Sequence, residues 1–213
     1  MNTEKFIQIL SSGPANDSHL RVGPRLLGAL ALGGMITLSL VLGVLGIQAD
    51  LIGRLVTFGF WTKILFNFSF FVIGLIVAVK TSQPGKTPPN YYFLMAIPVV
   101  VLWLIAIEAI RVDASSTLGE MVRGSSWQMC SILIAGLSMP IFVFVMWVLK
   151  DMASTRPSLT GFMAGLLSGG LGACIYSLHC PEYSPVFIGI WYFLGMMIPA
   201  TIGALLGKRL LRW

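Results

Sequence analysis

Residues 91–110 read YYFLMAIPVVVLWLIAIEAI, twenty consecutive positions with one charged side chain, Glu108. A helix rises 1.5 Å per residue, so this stretch reaches across about 30 Å, the thickness of a bilayer's hydrocarbon core. Five further apolar runs of similar length flank it, at 26–47, 58–79, 130–149, 159–178 and 186–207. Between them the chain turns polar or rich in helix breakers. Residues 83–90 contain Pro84, Gly85, Pro88 and Pro89, and segments 113–126 and 150–158 are polar. His179-Cys180-Pro181-Glu182-Tyr183-Ser184-Pro185 forms a short connector. Pro lacks the amide proton a helix needs, and Gly is conformationally loose.

Composition agrees with this reading. Of 213 residues, 56% are apolar and only 10% charged, and the mean hydropathy is +0.87. A soluble domain carries roughly 25% charged residues. The expected fold is therefore an all-α integral membrane protein, a six-transmembrane-helix bundle. The net charge of +6 does not point to nucleic acid, because the basic residues are scattered at the ends of apolar runs. The first run is longer than a signal-peptide core and follows a long polar lead, so it is expected to be retained as a span. Arg54 and Lys63, near the start of the second span, are expected to reach the interface by snorkelling.

Counting Lys and Arg gives the bundle a direction. With the N-terminus in the cytoplasm, Lys5, Arg21, Arg25, Lys80, Lys86, Lys150, Arg156, Lys208, Arg209 and Arg212 lie inside. Arg54, Lys63, Arg111 and Arg123 lie outside. The positive-inside rule then places both termini in the cytoplasm. Residues 1–25 form a cytoplasmic tail, 26–207 the membrane domain and 208–213 a basic cytoplasmic C-terminus.

Gly161, Gly165 and Gly169 recur every four residues, with Gly172 assigned to the same side, and Gly203 and Gly207 repeat the spacing. Small residues at this interval let helix backbones approach closely in lipid, here within one chain rather than between copies. Pro98, Pro140 and Pro199 fall inside spans. Ionisable groups at membrane depth mark transport paths. Only Glu108 qualifies, near a span end where Arg111 can pair with it, and Asn67 reads as a packing hydrogen bond.

The topology puts Cys130 at the outer start of the fourth span and Cys180 just beyond the outer end of the fifth, at similar depth. In bacteria that side is the periplasm, where disulfides persist. Two thiolates joined by His179 or Glu182 would suit a soft or borderline metal ion, bound transiently. The same thiols could form a disulfide, or be two interfacial cysteines with no shared task. Cys174, about 9 Å deeper, reads as a small buried residue. No obligatory cofactor is expected. In the tail, Thr3 can cap a short helix whose Phe6, Ile7, Ile9 and Leu10 form an apolar cluster suited to a partner's groove.

Trp127-x-x-Cys130, His179-Cys180-Pro181-Glu182 and Trp191-Tyr192, set on a short tail and six spans, resemble the NrsF-type membrane anti-sigma factors over essentially the whole chain. That resemblance implies a negative regulator of an extracytoplasmic-function sigma factor, multi-pass in the bacterial inner membrane and not an enzyme. It implies that the N-terminal segment holds the sigma factor, and that Cys130 and Cys180 perceive heavy metals or oxidants. Assigning the sigma-factor contact to Phe6, Ile7, Ile9 and Leu10 is our own inference. The main rival is a small transporter or channel, which needs a polar path the spans hardly offer. A thiol oxidoreductase would ordinarily carry a CxxC pair, absent here.

Overall fold

The computed structural model describes residues 17–48, 50–82, 90–112, 118–152 and 154–211, and these contain helices and no strands. The tail residues Phe6, Ile7, Ile9 and Leu10 lie outside them. Six helices are long and apolar enough to cross a membrane, as the hydropathy of the runs requires. In chain order, α1 is Asp17–Leu40, continued by a π-helical turn at Val41–Leu45, and α2 is the single turn Leu51–Arg54. Next come α3 (Phe58–Thr81) and α4 (Tyr91–Val112), then the short α5 (Leu118–Arg123), α6 (Trp127–Leu149) and α7 (Pro157–Tyr176). The last crossing runs from α8 (Pro185–Phe187) through a π-helical segment at Ile188–Tyr192 into α9 (Phe193–Leu210).

Boundaries differ from expectation where local chemistry moves them. Because α1 starts at Asp17, residues 17–25 of the expected tail are continuous with the first span. Pro157 opens α7 two residues early, its fixed φ suiting the first helical turn. Gly46, at φ +78°, stops the first crossing in a conformation that side chains resist. Pro98, Pro140 and Pro199 all lie within helices, as expected.

The bundle is built around α7, which packs on α9, α3 and α6. In its most apolar window 67% of residues are buried, against 11% for α4, which rests mainly on α3. Outward, Leu27, Leu65, Phe93, Leu104, Trp147 and Leu205 are exposed. Large apolar side chains facing out on this scale fit lipid rather than water.

Glycine explains how α7 occupies the centre. A Cβ at Gly161 would collide with the Gly203 carbonyl, and one at Gly165 with the Pro199 carbonyl. Gly161, Gly165 and Gly169 thus face α9 within the same chain. Gly172 does not share that face, contrary to expectation: a Cβ there would lie 2.5 Å from Ser138 Oγ on α6. Gly170 turns to α3, where a Cβ would stand 2.6 Å from the Phe71 amide. A step of one residue carries Gly170 about 100° round the helix, whereas Gly172 meets α6 because that helix is the neighbour at its level along α7. Gly165→Leu is therefore expected to destabilise the detergent-solubilised chain, lowering Tm by roughly 5–10 °C. Gly136→Leu, which points into open space, should leave Tm unchanged. Thermal unfolding of both variants checks this, and equal Tm values would refute the α7–α9 contact.

Candidate functional site

One end of the bundle gathers the α1–α2 connection, the start of α3, the turn between α5 and α6, and the α7–α8 connection. Cys130 lies in the first turn of α6, and Cys180 follows the last turn of α7. Both side chains are buried, at 0% and 1% exposure, and both are free thiols. They adjoin, close enough for one thiol to hydrogen-bond the other. The Ser126 hydroxyl stands 4.0 Å from the Cys180 sulfur. Tyr176 and Tyr192 close the site from α7 and the last crossing, with ring centroids 5.9 Å apart. The buried Tyr192 hydroxyl lies beside Cys180 without a hydrogen bond of full geometry.

The fourth wall is Lys63. It was expected to snorkel to the interface and instead is fully buried in the second turn of α3. Its ammonium donates to the carbonyls of Cys180 (2.8 Å) and Glu182 (3.1 Å). Its Nζ lies 4.9 Å from the Tyr192 ring centre and 5.1 Å from that of Tyr183. Carbonyl dipoles and ring faces are what a cation needs in place of water. Arg54 stays exposed, paired with Asp50 at 3.4 Å and set over the Tyr183 ring, 5.4 Å from its centre. The Cys180 thiol is pulled below the usual thiol range. Its contact with Cys130 is the main cause and the Lys63 charge assists, against the opposing effect of burial.

The other two residues of the expected ligand set are engaged elsewhere. His179 directs Nδ1 to the Gly46 carbonyl at 2.9 Å and packs on Tyr176. Glu182 accepts bonds from both the amide and the hydroxyl of Ser125, each at 2.7 Å. Among the described residues no group of three or more His, Cys, Asp or Glu side chains is arranged to hold a metal ion. The structure therefore brings Cys130 and Cys180 together and leaves His179 and Glu182 apart from them. Glu182 is instead a clasp, fixing the turn at 124–126 against the loop that carries Cys180.

The aromatic motif residues converge on the same end. Trp127 and Trp191 pack at 5.2 Å between ring centres, and the Trp191 indole N–H donates to the Val122 carbonyl at 2.8 Å. Cys174 lies apart from the pair, its sulfur 4.0 Å from the Ile64 carbonyl on α3. Glu108 and Arg111 form the expected pair at 3.0 Å, both largely exposed. Asn67 donates to Ser177 Oγ at 3.3 Å, a packing bond as expected. Removing the clasp with Glu182→Ala should speed alkylation of Cys180 by a small neutral reagent about tenfold, the effect of losing roughly one net hydrogen bond. Mass-spectrometric rates measure this, and an unchanged rate would show that the turn does not cover the thiols.

Comparison with known proteins places this arrangement. The family model described as "negative regulator of sigma F" matches residues 10–213. A probable anti-sigma-F factor NrsF of Azospira oryzae is 38% identical over 217 residues, covering 100% of both chains. The anti-sigma-F factor NrsF of Caulobacter vibrioides is 34% identical over 218 residues, again with 100% of both chains covered. No solved structure matches. The chain belongs to the NrsF family of anti-sigma factors, negative regulators of a sigma factor.

Proposed function

We propose that this anti-sigma factor holds an extracytoplasmic-function sigma factor at the cytoplasmic face of the inner membrane and releases it when Cys130 and Cys180 become linked. The observation that carries the reading is the contact between these two buried thiols, which lie fifty residues apart in sequence at one end of the bundle. The distribution of Lys and Arg favours the periplasm for that end and the cytoplasm for both termini. The tail residues Phe6, Ile7, Ile9 and Leu10 supply an apolar contact for the sigma factor.

Two signals fit the pair. With an organic or hydrogen peroxide, the Cys180 thiolate takes the terminal oxygen and the O–O bond breaks. The leaving oxyanion picks up a proton, and Cys180 becomes a sulfenic acid. The Cys130 thiol then displaces water to form the disulfide. Two electrons pass from the thiols to the peroxide. Alternatively a soft divalent ion replaces the remaining thiol proton and is held by both sulfurs. His179 and Glu182 already have backbone or side-chain partners, which favours a two-sulfur site over the four-residue set.

To change bound sigma factor from about 99% to 1%, the signal must shift the balance by about 5.5 kcal/mol. A disulfide or a dithiolate–metal link supplies energy of this order. The transporter alternative gains little, since the groove of about 500 Å³ between α3 and α4 is lined by apolar residues such as Phe66, Ile73, Leu94 and Leu102, with Thr62 and Ser69 its hydroxyls.

The double variant Cys130→Ser/Cys180→Ser is expected to insert in the membrane and capture the sigma factor, but not to release it on treatment with peroxide or cadmium. Reporter induction in cells together with sigma-factor co-purification reads both properties. Normal induction in the double variant would falsify the thiol-sensing reading.

A further inference from the structure

Lys63 has no place in the sensing scheme so far, yet it is the described charged side chain buried most completely. It comes from α3, while the backbone it grips belongs to the α7–α8 connection, 117 and 119 residues further along. An ammonium group has three donors. Two go to the carbonyls of Cys180 and Glu182, so the ammonium group is held against the backbone of the residue that carries the sulfur. The rings of Tyr183 and Tyr192 fill the remaining sides. Among the described residues no carboxylate forms a salt bridge with it: Glu182 offers its backbone carbonyl and sends its carboxylate to Ser125. Cys180 is thus the group placed to become its anion.

We propose that Lys63 is the positioning residue of the thiol pair: anchored on two carbonyls of the loop, its ammonium group is the counter-charge of a Cys180 thiolate. Cys180 is then the attacking sulfur and Cys130 the resolving one. The signalling value of this arrangement rests on the thiol-sensing reading; the chemistry does not. The same geometry gives oxidation and metal capture a common outcome. Either one engages the sulfur's charge, and Lys63 loses its anion while it stays held in the protein interior.

The groups that face Lys63 and can titrate are Cys130 on α6, Tyr176 on α7, Cys180, Glu182 and Tyr183 on the connection, and Tyr192 on the last crossing. Phenols ordinarily ionise near 10 and carboxyls near 4, and alkylation is read at each sulfur, so a change between pH 5 and 9 reports the thiols.

The test is alkylation of the full-length chain in lipid nanodiscs by limiting iodoacetamide, from pH 5 to 9, with each cysteine quantified by mass spectrometry. Wild type is expected to react first at Cys180, with a midpoint below the ordinary thiol range near 8.5. Lys63→Met should slow Cys180 about tenfold at pH 7, the equivalent of one pH unit. Lys63→Arg, which keeps the charge, should restore most of the rate. Cys130 reacting first, or a Cys180 midpoint at or above the ordinary range, would overturn the proposal in wild type alone, whatever the folding of the variants. A normal Cys180 profile in a monodisperse Lys63→Met protein would overturn it as well. Failure of the cysteine double variant to change induction would instead sink the sensing reading and leave this result standing.

Discussion

In hydrocarbon, apolar side chains gain nothing by leaving lipid for one another, so helices associate through close contact and hydrogen bonds. The contact of α7 with its neighbours meets that constraint by bringing backbone against backbone. Gly161 and Gly165 press α7 against α9, and Gly170 presses it against α3. The pairing with α3 is also pinned at intervals along its length. At one end Lys63 holds the carbonyls that follow α7. One turn in, Asn67 bonds Ser177. At the far end Thr160 donates to Thr81 at 2.9 Å, and Ser154 joins them. A helix fixed this way on several faces moves as a body or not at all, because packed interiors transmit displacement instead of absorbing it.

The buried ammonium group is the costly element in this design. Charges taken from water are tolerated when partners replace the hydration shell, and leaving one unpaired costs on the order of 3–5 kcal/mol. That figure is close to the shift needed to empty a nearly saturated sigma-factor complex. On the proposed scheme, loss of the Cys180 anion would place this cost on α3 and on the loop after α7 together.

The spans were readable because bilayer thickness fixes their length and because Pro, Gly and polar residues interrupt them. The pairing of Glu108 with Arg111 follows from helical spacing, whereas equal depth put Cys130 and Cys180 at one level without requiring them to meet. Lys63 departs from the expected snorkelling for a physical reason. A lysine near a span start ordinarily reaches outward, and the group that draws it inward is backbone from a distant loop. His179 and Glu182 have the chemistry of metal ligands, yet their partners are the Gly46 carbonyl and the Ser125 amide and hydroxyl. Backbone partners leave no signature in sequence. Gly172 shows the limit of counting in fours, since the face it joins belongs to α6.

The α1–α2 connection is stitched to the loop that carries Cys180. The Gln48 amide donates to the Leu178 carbonyl at 3.2 Å, Gly46 receives His179, and the Tyr183 hydroxyl donates to Gln48 Oε1 at 2.7 Å. These bonds sit just past the end of α1, and α1 is the helix that leads back to the first sixteen residues of the chain. The thiol loop is therefore one crossing from the N-terminal segment along a single continuous rod. Thr37 bonds the Leu137 carbonyl partway along it, at 2.9 Å, and supplies a fulcrum on α6. A lever of this kind turns a small displacement at one surface into a movement at the other without rearranging the rest of the bundle.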